Sequence, residues 1–239
     1  MTIGNVASAW RTDRAGAICA LLATVSLLTN MVLMVVAVDF DVARLQAFGC
    51  LYDVDAAAQP LLIASTLFDA FFYLLLAPVA LALALSSAAG SRNVRFAQVA
   101  GGLVYAAAGA VGALTLTLVW PELFARVAAG DAGAAARFEI ITTFVFHTVW
   151  HQIGAAAGAL WWLAVGIGVW RAHRSLGVVS VALCFLSLAE LVATSARLDG
   201  LAVPLLNVYL ALLPIWTLVT AASLWPKIAS RAVERSARR

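Results

Sequence analysis

The chain has 239 residues, of which 64% are hydrophobic and 11% are charged, and its formal net charge is +3. A soluble globular domain is about 45–50% apolar and about 25% charged, so this composition excludes water-soluble enzymes, disordered tails and disulfide scaffolds and predicts a membrane protein. The basic residues do not cluster into one folded basic face, which also excludes a nucleic-acid partner.

Six stretches of the sequence are long and apolar enough to form transmembrane helices, each of which needs about 20 mostly apolar residues. In chain order they are 16–38, 61–85, 96–120, 140–170, 176–195 and 201–225. Pro121 follows the third stretch, at a position where a proline often ends a helix. The sequence therefore predicts an all-α fold in a single domain, 1–239, which is a bundle of six transmembrane helices surrounded by the lipid bilayer.

The distribution of basic residues between the loops predicts how the bundle lies in the membrane. Eleven Lys and Arg residues fall in the two tails and in the second and fourth loops, and four fall in the remaining loops. Because Lys and Arg accumulate on the cytoplasmic side of membrane proteins, both termini should be cytoplasmic and the protein should lie in the cell membrane. The Arg-rich tail, 227–239, should contact anionic lipid.

Polar side chains inside the predicted spans form a layer at one depth. Ionisable groups in a membrane are costly, so they mark functional or buried positions. With a rise of about 1.5 Å per residue, the four ionisable residues of the layer fall roughly 8–17 Å below the boundary that is predicted to face outward. Tyr73 belongs to the layer because it lies one helical turn from Asp69. The candidate ligand-binding residues are Asn30, Asp69, Tyr73, His147, His151, Glu190 and Asn207.

Helical spacing predicts which way the fourth span faces. One face of an α-helix there carries an i, i+4, i+7, i+11 pattern of residues, which is His147, His151, Gly154 and Gly158. Glycines allow a second helix to approach closely. We therefore expect this stripe to face other helices and both histidines to be buried.

Three functions are compatible with the polar layer. The first is a site that binds a small ligand or a proton from the outer side. The second is a metal-dependent intramembrane enzyme, although Thr148 follows the first histidine where the zincin motif has a Glu. Its divalent metal would be held by two imidazoles and two carboxylates, a set that suits Zn²⁺ or Fe²⁺; these ligands are His147, His151, Asp69 and Glu190.

The third function is a structural or partner-binding bundle, in which the same side chains hydrogen-bond one helix to another. Each such bond contributes about 0.6–2 kcal/mol in a membrane. The sequence requires no cofactor and does not indicate a protein partner.

The order of several segments resembles a known family. The second span contains Leu-Ala-Pro-Val-Ala-Leu-Ala-Leu at 76–83, and the third is rich in Gly and Ala at 100–113. A Trp-Leu-Ala-Val-Gly-Ile-Gly-Val-Trp segment at 162–170 precedes a short basic turn, and Leu-Leu-Pro-Ile-Trp-Thr-Leu lies in the last span at 212–218. In this order the chain resembles the bacterial six-helix membrane proteins grouped as domain of unknown function 4386. The resemblance implies the six-helix fold and a membrane location, and it implies no activity and no functional residues.

Overall fold

The computed structural model describes residues 3–41, 44, 48–87 and 91–225, with side chains from residue 12 onwards except that of Asp199. Six long helices make up most of the described chain: α1 (Ile3–Ala37), α2 (Gln59–Ser86), α3 (Arg92–Ala128), α4 (Ala132–Val169), α5 (Arg174–Ser195) and α6 (Asp199–Leu224). A 3₁₀ turn, Phe48–Asp53, precedes α2, and the middle of α4, Phe144–Gly154, is a π-helix. All six helices are long and apolar enough to cross a membrane, which confirms the predicted all-helical fold with six spans. The tail predicted to contact anionic lipid, 227–239, lies outside the described residues.

The segments between the helices define two ends of the bundle, because successive helices run in opposite directions. We call one end the acidic end; it holds the described residues 38–41, 44, 48–58, 129–131 and 196–198, which carry five aspartates. The other is the basic end, which holds the described residues 87, 91 and 170–173, and α3 and α5 each begin there with an arginine.

The six helices form a closed ring, because each packs against the next in the chain and α6 packs against α1. Small residues bring the helices close: Ala17, Ala20 and Ala23 of α1 are fully buried, and a Cβ atom on Gly101 would lie 3.2 Å from the backbone of Trp161. In a bilayer such packing and polar contacts hold helices together. A hydrogen bond joins every neighbouring pair of helices, through Asn30–Asp69, Thr66–Thr117, Gln98–Ala164, His151–Glu190, Ser180–Trp216 and Thr24–Thr217.

Tryptophans fill the interior of the ring near the basic end. The rings of Trp161 and Trp162 on α4 stack with their centroids 4.4 Å apart, and Trp216 on α6 packs edge-on against Trp162 at 4.6 Å. All three are fully buried, and Nε1 of Trp216 donates to the hydroxyl of Ser180 at 2.9 Å. Because α5 lies between α4 and α6 in the ring, the contacts of Trp216 with the two tryptophans of α4 cross the interior of the ring. The interior is therefore filled near the basic end.

The outer surface of the ring is apolar. Leu118 is 76% exposed, Phe185 is 67% exposed and Val32 is 61% exposed. Soluble monomers rarely expose contiguous apolar surface on this scale, whereas helices with internally satisfied backbones are stable against lipid tails. The surface therefore fits a multi-pass membrane protein.

Two helices extend beyond their predicted spans at the acidic end. The helix α3 continues about two turns past Pro121, which was predicted to end it, and α4 begins eight residues before the predicted start at residue 140. The extensions are held by Trp120, whose ring stacks on that of Phe138 at 5.5 Å and whose Nε1 donates to Thr142 at 3.0 Å. A proline removes one backbone donor, and this packing outweighs that loss.

Candidate functional site

Near the acidic end, the ring encloses a cavity with a volume of about 200 Å³. All six helices contribute to its wall. Six of the seven predicted site residues line it: Asn30, Asp69, Tyr73, His151, Glu190 and Asn207. Asn207 is exposed, and the other five are buried or half-buried. The fold thus gathers polar side chains from five helices around one space.

The π-helical part of α4 decides which of its residues face the cavity. A π-helix bonds residue i to residue i+5, so each turn takes more residues than the 3.6 of an α-helix. Four residues are then slightly less than one turn instead of slightly more, so two residues four apart are offset in the opposite sense from that in an α-helix, and His147 is offset from His151 away from the cavity. Residues four or five apart still lie nearest to one another around the helix. The residues of α4 that line the cavity follow this spacing: Phe146, Trp150, His151, Gly154 and Ala155.

The α-helical stripe predicted for this segment is therefore wrong in two of its positions. His147 is exposed rather than buried and does not line the cavity; its ring centroid lies 5.9 Å from that of His151. Gly154 faces the cavity, because a Cβ atom there would meet only a carbonyl oxygen of its own helix within 4 Å. Gly158 does face another helix, where a Cβ atom would lie 3.1 Å from the ring of Tyr105.

Two hydrogen-bonded pairs hold the carboxyl groups of the cavity. Nδ1 of His151 donates to Oε1 of Glu190 and joins α4 to α5. Nδ2 of Asn30 donates to Oδ1 of Asp69 at 3.2 Å and joins α1 to α2. Glu190 is 4% exposed and Asp69 is 8% exposed. The side chain of Asn207 forms no hydrogen bond with another described residue and leaves its amide to the cavity.

Aromatic side chains form much of the remaining wall, and the sequence predicted only Tyr73 among them. The hydroxyl groups of Tyr105 and Tyr209 share a hydrogen bond of 2.7 Å between α3 and α6, and the ring of Tyr105 packs against Tyr73 at 5.5 Å. Nε1 of Trp150 donates to the carbonyl of Gly109 at 3.3 Å. A tyrosine buried in a span needs a partner for its hydroxyl, and this requirement is the signal by which Tyr105 and Tyr209 could have been found.

The side chains proposed as metal ligands do not form one cluster. The structure pairs Glu190 with His151 and Asp69 with Asn30, and it places His147 outside the cavity wall. Among residues 3–41, 44, 48–87 and 91–225, no group of three or more His, Cys, Asp or Glu side chains is placed to hold a metal ion. The arrangement offers a cavity with hydrogen-bonding groups rather than a preformed metal centre.

A ring of six apolar helices around a small polar and aromatic cavity defines a helical multi-pass membrane protein. The chain matches no family model, no curated protein and no solved structure. Its resemblance to the six-helix family stays a prediction, and its function must be argued from the cavity, since function lies in sites and not in folds.

Proposed function

We propose that this protein binds a small polar molecule in the cavity enclosed by its six helices. The observation that carries the proposal is the convergence of polar side chains from five helices on a space that no side chain fills. Hydrogen bonds between helices need no such space, as the directly paired hydroxyls of Thr24 and Thr217 show. Protein interiors are otherwise close-packed, and an apolar and aromatic wall with a few convergent polar groups is typical of ligand sites.

The volume of the cavity favours a small molecule over the two other occupants that the sequence suggested. Pockets for drug-sized ligands have volumes of about 300–1,000 Å³, so a cavity of about 200 Å³ holds a molecule smaller than these ligands. A proton alone needs a hydrogen-bonded path and no cavity. A metal ion needs three or four converging ligands, and the described residues do not supply such a group.

The proposal includes the orientation of the protein in the cell membrane. With both termini cytoplasmic, the acidic end faces outward and the cavity receives its ligand from that side. Eleven basic residues against four support this arrangement.

A reporter fusion tests the orientation. A reporter that is active only in the cytoplasm, fused after Arg239, should be active, because the positive-inside bias holds the C-terminus there. The matched fusion in the segment 129–131 should be inactive, and a reporter active only outside should give the opposite pair. A silent C-terminal fusion that is stably expressed would overturn the assignment.

The substitution Gly154→Leu tests the binding function. Its side chain would enter the cavity, because nothing but its own helix lies within 4 Å of the Cβ position. We expect the variant to fold with an unchanged or slightly raised Tm, since leucine is the better helix former by about 1 kcal/mol. A panel of small amines, alcohols, amides and carboxylic acids should contain a compound that raises the Tm of the wild type and not that of the variant.

The matched control is Gly200→Leu at the start of α6, where nothing lies within 4 Å of the Cβ position. This variant should respond to the compound as the wild type does. If no compound of the panel stabilises the wild type, or if Gly154→Leu responds equally, the binding function is overturned. A loss of about 1–3 kcal/mol in Gly154→Leu would show instead that this face packs against a helix.

A further inference from the structure

The two carboxyl groups of the cavity differ in their partners. Glu190 is matched by His151, whose Nδ1 donates to it and which carries a compensating charge when protonated. Asp69 receives one hydrogen bond, from the neutral amide of Asn30. Within the described residues, Asp69 forms no ion pair. Its charge is therefore the one in the cavity that the protein leaves uncompensated.

An uncompensated carboxylate at this position is costly. Asp69 is 8% exposed and lies in a helix that is apolar enough to cross a membrane. Ionisable groups within membranes pair with an opposite charge or line a functional site, and a buried charge without its partner is strongly destabilising. None of the described residues that line the cavity is Lys or Arg, and the one histidine among them, His151, is bonded to Glu190. The ionised form of Asp69 is therefore matched only by a cation from outside these residues.

The aromatic wall suits the same kind of occupant. Tyr73 lies one turn from Asp69, and Tyr105, Tyr209 and Trp150 belong to the same wall. The faces of tyrosine and tryptophan rings attract cations, and ammonium groups are commonly bound in this way. An anionic ligand would be repelled by the two carboxyl groups, since no Lys or Arg among the described residues lines the cavity to attract it. A neutral ligand would leave the negative charge of Asp69 without a counter-charge.

We propose that the molecule bound in the cavity is a small organic cation with a protonated amine, and that Asp69 is its counter-ion. This proposal rests on the binding function proposed above and names the class of its ligand. The amine would donate to the carboxylate of Asp69 and to the free amide oxygen of Asn207, and the tyrosine rings would contact both the ammonium group and its short alkyl part. A volume of about 200 Å³ limits that part to a few carbon atoms.

The test uses the purified full chain in detergent and three probes of similar size: butylammonium, 1-pentanol and butyrate. We expect butylammonium to raise the Tm of the wild type in a concentration-dependent manner, and the two other probes to leave it unchanged. In Asp69→Asn the affinity for butylammonium should fall at least about tenfold, because the lost pairing of charges weakens binding. The matched control Asp55→Asn removes an exposed aspartate at the acidic end and should bind as the wild type does.

Gly154→Leu supplies a second measurement if Asp69→Asn does not fold, since it fills the cavity and keeps the carboxylate; it should abolish the response to butylammonium. If 1-pentanol or butyrate stabilises the wild type at least as well as butylammonium does, and Gly154→Leu abolishes that response, the cavity binds ligands and the cation proposal is overturned. An unchanged affinity for butylammonium in Asp69→Asn also overturns it. If none of the three probes stabilises the wild type, the cation proposal fails, and the wider panel then decides on the binding function.

Discussion

Replacing Trp161 with alanine should lower the free energy of unfolding by about 3–5 kcal/mol, the range for removing a buried tryptophan from a core. Trp161 is fully buried, and its ring centroid lies 4.4 Å from that of Trp162 and 5.3 Å from that of Trp216. On the other side, α3 approaches it through Gly102, where a Cβ atom would lie 2.8 Å from Nε1 of the tryptophan. In a bilayer the loss is one of dispersion contacts, and neither α3 nor lipid tails can fill the space without moving a helix.

Trp170→Ala is the matched control, because this tryptophan directly follows α4 at the basic end and is 44% exposed. Unfolding by heat or denaturant in detergent should show a large loss for Trp161→Ala and a small one for Trp170→Ala. Equal losses would mean that the tryptophan cluster does not form the core of the ring.

The spans were predictable from the sequence because the signal for them does not depend on geometry. About 20 apolar residues in a row predict a spanning helix whatever its neighbours are, and the structure has all six of them. The ends of α3 and α4 at the acidic end were not predictable in the same way. Pro121 and the polar residues beyond it end the apolar stretch, while contacts distant in sequence, such as that of Trp120 with Phe138, continue the helix.

The polar residues of the cavity were predictable in depth but not in direction. Depth follows from counting residues along a helix, and Asn30, Asp69 and Glu190 do line one cavity. Direction requires the number of residues per turn, and the prediction assumed 3.6 throughout the fourth span. The π-helix Phe144–Gly154 lengthens the turn, so His147 leaves the cavity wall. No sequence pattern predicts the change from α-helix to π-helix in this segment, because the π-helix depends on contacts with residues distant in sequence.

Replacing Glu190 with alanine should lower the free energy of unfolding by about 1–2 kcal/mol. Two ranges apply: breaking a buried ion pair costs about 3–5 kcal/mol, and a hydrogen bond between membrane helices contributes about 0.6–2 kcal/mol. The lower range applies because a single hydrogen bond joins the two side chains. Glu190→Gln keeps an oxygen that accepts from Nδ1 of His151 and should cost less than the alanine variant.

A double-mutant cycle isolates the pair. If Glu190 and His151 interact mainly through their hydrogen bond, the variant with both replaced by alanine should be no less stable than the worse single variant, with a coupling free energy of about 1–2 kcal/mol. Glu122→Ala is the control, since its bridge to Arg126 is exposed, spans 3.5 Å and should contribute little. Strictly additive losses at 190 and 151 would contradict the pairing.

The effect of Glu190→Ala should be concentrated in the π-helical segment. A π-helix is rare in isolation, so the segment Phe144–Gly154 depends on contacts with its neighbours, among which are the bond from His151 to Glu190 and that from Trp150 to the carbonyl of Gly109. Losing the first should raise amide hydrogen exchange in 144–154 more than in 155–169, because local opening follows local contacts. Uniform protection along α4 in the variant would mean that Glu190 does not hold this segment. Concentrated opening would show that the bond which joins α4 to α5 also stabilises the π-helical segment whose residues line the cavity.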